Sequence, residues 1–520
     1  MADSPFQDLL RRSRWRGRLR RWRDLIARPL RPTRIQPDRT GPANLLLIGV
    51  DTLRADHLGL AGCAQPTSQN LDSLAGRGTT FADTTAASPW TLPSFATALT
   101  GLMPGLHGGF LPGTLRNMDD QPPQPLDARV TTLAGHLRRQ GYRTAAFYSN
   151  QFFAFGLAES FDHHVYRNLP AQELAREALD WIRCHGDRPF FCFLLCNDPH
   201  EPTTPTAEDL APFLTVARSQ GADTSDRAVR HYARWGDGPA PQLGLAAWPL
   251  DTATRQGLLL KKAIYNAAIC QVDRALGEIH EQMRQWDLDR STVFSVFADH
   301  GEEFLDHAEF AHRWNHDPRK VRGIGHGHTH FKELLHVPWV VWGPGVPVGV
   351  RYRDPVSLLD LTPTLLDWLG LEPLDLGPVT AKLAQTDAAL AAALVGHSLA
   401  PVVTGVAGEA ATEGTADRIL LSEAIAYGPD LVAVRRGRWK LIAHRDGRPL
   451  ALFDLATDTE ETRDLQNHEA DVVAEMLELV HQWRQTGTGA HGDDTPGSTS
   501  SWQDVDDTVR QRLKDLGYSD

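Results

Sequence analysis

Short, mainly apolar runs recur along the chain at 44–50, 144–149, 189–196, 291–298 and 337–342. Bounded by turn-forming residues and too short for helices, they read as strands buried on both faces. Between them, apolar positions return every three or four residues at 130–140, 171–185, 254–286 and 357–369, which predicts amphipathic helices. Strands alternating with helices predict an α/β fold whose mostly parallel sheet is covered by helices on both faces.

Two stretches break the pattern. Residues 202–252, rich in Pro, Thr and Gly, read as a long insertion over one edge of the sheet, and 372–417, rich in Ala, Gly and Thr, as a mobile connection. Beyond them the runs become short and β-like at 419–426, 430–436, 439–445 and 450–455, with Asp446-Gly447 as a hairpin turn. A helix is expected near 467–484 and another at 502–516. The chain therefore divides into a basic tail (1–42), a catalytic domain (43–400), a small antiparallel-sheet subdomain (418–485), and a linker with a terminal helix (486–520).

Charge sharpens this division. The 520 residues carry a formal net charge of -12, yet residues 1–40 hold twelve arginines against four aspartates, leaving about -20 on the rest. An acidic body excludes nucleic acid as the expected partner. In the tail, Trp15, Leu19, Trp22 and Ile26 share one helical face among the arginines, so residues 1–40 are expected to form an amphipathic helix making peripheral membrane contact or packing on the acidic body. No apolar stretch approaches the roughly 18–20 residues of a membrane span. Five cysteines with no CxxC spacing argue against a zinc ribbon or disulfide scaffold, and a cytoplasmic location is expected.

Four features capable of chemistry fall at or near strand ends. Asp51 directly follows the first strand. Trp90-Thr91-Leu92-Pro93-Ser94 opens a helix of small residues. Asp299-His300-Gly301-Glu302 follows the strand 291–298, and Gly325-His326-Gly327-His328 precedes the strand at 337. Singly, each has a plain structural reading: an Asp after a strand caps a helix or shapes a turn, and Thr91 suits a helix start. Ligands of open α/β sheets, however, collect outside the carboxyl ends of strands. Two carboxylates and an imidazole converging there would suit a divalent cation.

The order of these motifs resembles the sulfatase-like branch of the alkaline phosphatase superfamily, from about Asn44 to the C-terminus. The resemblance extends through Asp51-Thr52-Leu53-Arg54-Ala55-Asp56-His57, Asp198-Pro199-His200-Glu201-Pro202, Val337-Pro338 and Asp360-Leu361-Thr362-Pro363-Thr364, and into the small domain through Arg438-Trp439-Lys440-Leu441 and Leu452-Phe453-Asp454-Leu455. It implies an alkaline phosphatase-like fold: a large mixed, mostly parallel sheet sandwiched by helices, with a small C-terminal α+β domain. It further implies that Asp51, Asp299 and His300 hold one divalent metal ion against Thr91, the nucleophile. His200 and His326 would contact the anionic group or protonate the leaving oxygen, with His328 a weaker candidate.

Departures from the family pattern refine the expectation. Thr91 stands where sulfatases carry the Cys or Ser that becomes formylglycine, so no formylglycine is expected. Phe95 replaces an arginine, and Thr52 the second aspartate of a pair. With a histidine ligand, manganese or zinc is favoured, calcium and magnesium remaining possible; Asp198, His200 and His326 leave room for a second ion. The expected activity is hydrolysis of a phosphate, phosphonate or sulfate ester through a covalent Thr91 intermediate, the substrate being a small-molecule, glycan or lipid anionic ester. The alternatives are transfer of a phospho-headgroup to an acceptor and non-catalytic anion binding.

Overall fold

The computed structural model describes residues 43–234, 243, 246–314, 316–377, 379–384, 386–405 and 417–487. The expected tail helix and terminal helix lie outside these residues. The large sheet contains β1 (Asn44–Val50), β2 (Gly78–Thr85), β3 (Arg143–Tyr148), β4 (His163–Tyr166), β5 (Phe190–Cys196), β6 (Thr292–Ala298), β7 (His336–Trp342), β8 (Val350–Tyr352) and β9 (Val356–Ser357). Their order is β8-β2-β7-β6-β1-β5-β3-β4, with β9 also on β2. Only β7 runs against the rest, pairing antiparallel with both β6 and β2. All seven residues of β1, β5 and β6 are buried, as the mainly apolar runs require of central parallel strands.

Helices flank the sheet. α1 (Thr91–Thr100) packs with Leu361–Trp368, while α2 (Ala171–His185) packs on α3 (Thr252–Gln285) and on β5. Gly49 admits α1 to close range: a Cβ there would lie 2.5 Å from Phe95 Cε1. Phe95 itself sits among Phe153, Phe193 and Phe297. The position occupied by arginine in the family pattern thus serves the core here.

Several expectations need correction. Strand β2 was absent from the apolar pattern because half of its residues are threonine, a β-former without apolar continuity; Phe81 stacks on Trp339 to bind it to β7. The described part of 202–252, expected as an insertion without assigned elements, contains two helices. Helices Ala207–Ser219 and Asp226–Tyr232, capped by Thr206 and Ser225, bury Leu210, Phe213 and Tyr232 with Leu260 and Ile264 of α3. Ser225 and one of the threonines of the stretch, Thr206, serve as helix caps. Likewise the described part of 372–417 forms short helices, and Ala388–Leu394 buries Leu390 and Leu394 against the small domain.

The small domain holds β10 (Ile419–Ser422), β11 (Leu431–Arg436), β12 (Trp439–His444) and β13 (Pro449–Asp454) in antiparallel order. α4 (Ala470–Gln485) buries Val473, Met476, Val480 and Trp483 with Val432, Val434, Leu441 and Leu452. The run expected to continue to 426 ends at Ser422, because Ala424 takes φ 63° and turns the chain. Tyr427–Pro429 then pairs with Leu115–Asn117 of the large domain. Among the described residues no helix is long and apolar enough to cross a membrane.

Candidate active site

Parallel neighbours end on the same edge, so β1, β3, β5 and β6 deliver Asp51, Asn150, Asn197 and Asp299 to one region. The Asp51 N–H continues the ladder by donating to the Cys196 carbonyl at 2.9 Å. Thr52 adopts φ 57°, a costly conformation for a β-branched residue. It is held there at both ends: its N–H donates to Asp299 Oδ1 at 3.3 Å, and its carbonyl accepts from the Tyr265 hydroxyl at 2.6 Å.

The remaining hydrogen bonds leave one atom of each group without a partner. Asp299 Oδ1 accepts from the His300 N–H at 2.9 Å as well as from Thr52. Asp51 Oδ2 accepts from Asn150 Nδ2 at 2.6 Å. His300 Nδ1 donates to the Gly301 carbonyl at 2.9 Å, which turns the lone pair of Nε2 inward. Asp51 Oδ1, Asp299 Oδ2 and His300 Nε2 are consequently buried with no hydrogen-bond partner, and the ligand atoms of the three residues lie within 4.8 Å of one another. Burial and then the Asp51 carboxylate push Asp299 well above the usual carboxylate range. Burial, then the neighbouring His326, pull His300 down to about 3. Two clashing carboxylates and a neutral imidazole facing one point fit a divalent cation.

Thr91 is buried at the first position of α1, and its Oγ1 accepts from Asn150 Nδ2 at 3.3 Å. The same amide therefore links it to Asp51. The His326 ring lies 4.6 Å from that of His300 and 5.0 Å from that of His200. His326 Nδ1 faces both Glu302 carboxylate oxygens at 3.3 Å, and His200 Nδ1 faces the Glu201 carbonyl at 2.5 Å. Burial and the nearby His200 hold His326 well below the usual imidazole range; burial lifts Glu302 to about 7.

The structure thus brings Asp51, Thr91, Asp299, His300, His200 and His326 together. His328 instead pairs with Glu303 at 2.8 Å. Asp198, expected as part of an optional second metal site, is occupied elsewhere: it accepts from the Ala171 N–H at 3.0 Å and from Gln271 Nε2 at 2.5 Å, tying α2 to α3. Glu303, His307 and Glu333 form a second buried group of metal-ligating types. His307, however, donates through Nδ1 to Glu333 at 2.7 Å and through Nε2 to the carbonyls of Glu460 and Glu461 at 3.1 Å. Burial opposes its charge, but Glu333 prevails and lifts it to about 9. It is an imidazolium, with no lone pair for a metal.

Sequence reasoning missed Asn150 and the pairing of Glu302 with His326. Asn150 carries no motif signal, since an Asn after a strand reads as a turn. Glu302 stood inside a recognised motif, but its partner is distant in sequence.

A strand-edge site whose two carboxylates and imidazole could hold one divalent ion beside a buried hydroxyl suits a hydrolase of the alkaline phosphatase-like class. Residues 43–371 match the family described as Sulfatase, and the chain belongs to the sulfatase family. It is 24% identical to arylsulfatase K of Homo sapiens over 460 residues, 79% of this chain and 76% of that protein. It is 24% identical to choline-sulfatase of Rhizobium meliloti over 472 residues, 82% of this chain and 83% of that one. The crystal structure of the phosphonate monoester hydrolase of Agrobacterium radiobacter shares the fold, with a TM-score of 0.59 at 21% identity over 86% of this chain and 96% of that one.

Proposed function

We propose that this hydrolase cleaves singly charged esters of phosphorus, phosphonate monoesters or phosphodiesters, through a covalent intermediate on Thr91. The observation that carries the reading is the set of three partnerless ligand atoms with the Thr91 hydroxyl beside them. Asp51, Asp299 and His300 would hold a divalent ion, manganese or zinc by their chemistry, which when bound supplies positive charge to the nucleophile and the ester oxygens.

The chain's own groups do the rest. Thr91 gives its proton to one of the two histidines facing the site, His200 or His326, as its Oγ bonds to phosphorus and the bond from phosphorus to the leaving oxygen breaks; the start of α1 favours negative charge on Oγ. The same histidine passes that proton to the leaving oxygen. Water then attacks phosphorus and loses a proton to the histidine, which returns it to Thr91 Oγ as the Oγ–phosphorus bond breaks. Phosphorus is favoured because an ordinary threonyl sulfate resists attack at sulfur, whereas a threonyl phosphate is open to in-line attack.

Charge favours a monoanion. The cations around the site are already neutralised: Arg54 by Asp56 and Asp306, Lys261 by Glu201, and Arg319 by Asp317. With one divalent ion against two carboxylates, a dianionic phosphomonoester would enter a site with no surplus positive charge.

The names of the relatives, arylsulfatase K and choline-sulfatase, favour a second reading with sulfate esters as substrates. Matched aryl phosphodiester, phosphonate, phosphomonoester and sulfate substrates separate the two. The phosphonate and phosphodiester should turn over fastest, and enzyme quenched during turnover should carry the phosphoryl group on the peptide containing Thr91. Faster turnover of the sulfate would overturn the preference; an unmodified peptide together with an active Thr91→Ala variant would overturn the nucleophile.

A further inference from the structure

We infer that Asn150 is a positioning residue that sets the proposed metal ligand Asp51 and the proposed nucleophile Thr91 with one amide. The inference rests on the reading of those two residues given above and adds a residue that neither motif contains.

Asn150 follows β3 by two residues and is fully buried. Its amide has a defined orientation, because Oδ1 accepts from the Phe152 N–H at 2.9 Å and caps the turn Gln151–Ala154. Nδ2, with two hydrogens, therefore faces Asp51 Oδ2 at 2.6 Å, Thr91 Oγ1 at 3.3 Å and Asn197 Oδ1 at 3.4 Å. The short contact engages one Asp51 oxygen and leaves Oδ1 for the point shared with Asp299 and His300. The longer one places an N–H donor on the Thr91 oxygen, which is negative when deprotonated for attack and becomes negative again as it leaves phosphorus in the hydrolysis of the intermediate. The turn is itself keyed to the nucleophile: the Phe152 ring meets the ring of Trp90, the residue before Thr91, edge-on at 5.7 Å.

A plain cap would need only an acceptor, so Asn150→Ser separates the two roles: its hydroxyl keeps a capping acceptor, is too short to reach both Asp51 and Thr91, and adds no charge beside Asp51. In the full-length protein, Asn150→Ser should fold, with a thermal midpoint above that of Asn150→Ala. It should bind manganese about 10- to 100-fold more weakly by chelator competition, as loss of a partner to a metal ligand does. At saturating manganese its kcat should remain about 100-fold down, with KM little changed. Asn150→Ala should repeat both losses with a further loss of stability. Wild-type manganese affinity and kcat in Asn150→Ser would reduce Asn150 to a cap and overturn the inference. Full recovery of kcat at saturating manganese would overturn its Thr91 arm. Manganese affinity measured in Thr91→Ala, with and without Asn150→Ser, judges the Asp51 arm independently of whether Thr91 is the nucleophile.

Discussion

His300 Nε2 stands 3.3 Å from Asp299 Oδ2, and neither atom has a hydrogen-bond partner of its own. Asp51 Oδ1 closes the triangle at 3.5 Å from the same nitrogen. Without a cation, the two carboxylates repel in a dry site. Asp299→Asn should therefore have opposite effects in two states: the ion-free variant should melt above ion-free wild type, while the increment given by added manganese disappears. For wild type that increment should reach about 4 kcal/mol at ~1,000 times Kd. Thermal unfolding with manganese and with chelator measures both; an equal manganese increment in the variant would refute the ligand assignment.

The Glu302 carboxylate faces His326 Nδ1, which commits the proton to that nitrogen and leaves Nε2 for the site. Glu302→Gln can present its own N–H to Nδ1 and so invert the tautomer. If His326 Nε2 takes the Thr91 proton and passes it to the leaving oxygen, a proton already on Nε2 blocks the first transfer, and kcat should fall by about 100-fold for esters of poor leaving groups. It should fall far less for nitrophenyl esters, which leave without help. His328→Gln, which touches the Glu303 pair instead, should leave that leaving-group dependence intact.

The His307–Glu333 pair should govern alkaline stability. His307 is lifted from the usual imidazole value to about 9, so the folded state holds its proton more tightly than the unfolded chain. The stabilisation is fully present below about pH 6.5 and is lost as pH rises through 9. Its full size is on the order of 3 kcal/mol. Thermal midpoints of wild type should fall steeply between these limits, whereas His307→Gln should start lower and show a shallower slope.

Gly301 has no room for a side chain: an added Cβ would stand 1.9 Å from the Glu333 carbonyl oxygen and 3.0 Å from Arg54 Cγ. Gly301→Ala must displace the His300 loop from backbone rather than from a flexible side chain. We expect a loss of about 3 kcal/mol, measured by denaturant unfolding, and weaker manganese binding with it.

What could be read in the sequence follows a physical division. Asp51 and Asp299 were legible because each follows a short, mainly apolar run, and such runs read as buried strands whose parallel members end on one edge. Their convergence was implied by topology. Strand β2 was not legible, since its threonines acquire a strand's character only between β7 and β8. Helices Ala207–Ser219 and Asp226–Tyr232 were obscured by Pro212 inside the first and by the Pro, Thr and Gly of the stretch around them. Asn150 was invisible for a different reason: its role is defined by partners 99 and 59 residues away, and no local pattern encodes that meeting.

The turn at Ala424 links the small domain to both halves of the site. Its carbonyl accepts from Ser88 Oγ and from the Trp90 indole, and the Ala426 and Tyr427 N–H groups both donate to the Gly327 carbonyl. One side of this turn thus grips the residue before Thr91, and the other grips the loop carrying His326. A chain cut after residue 400 would keep every proposed ligand, the nucleophile and both histidines, yet lose the brace that keeps them in register. The C-terminal sheet is in this sense a keystone, so the two parts should melt in a single calorimetric transition, and separately expressed halves should regain activity only on reassembly.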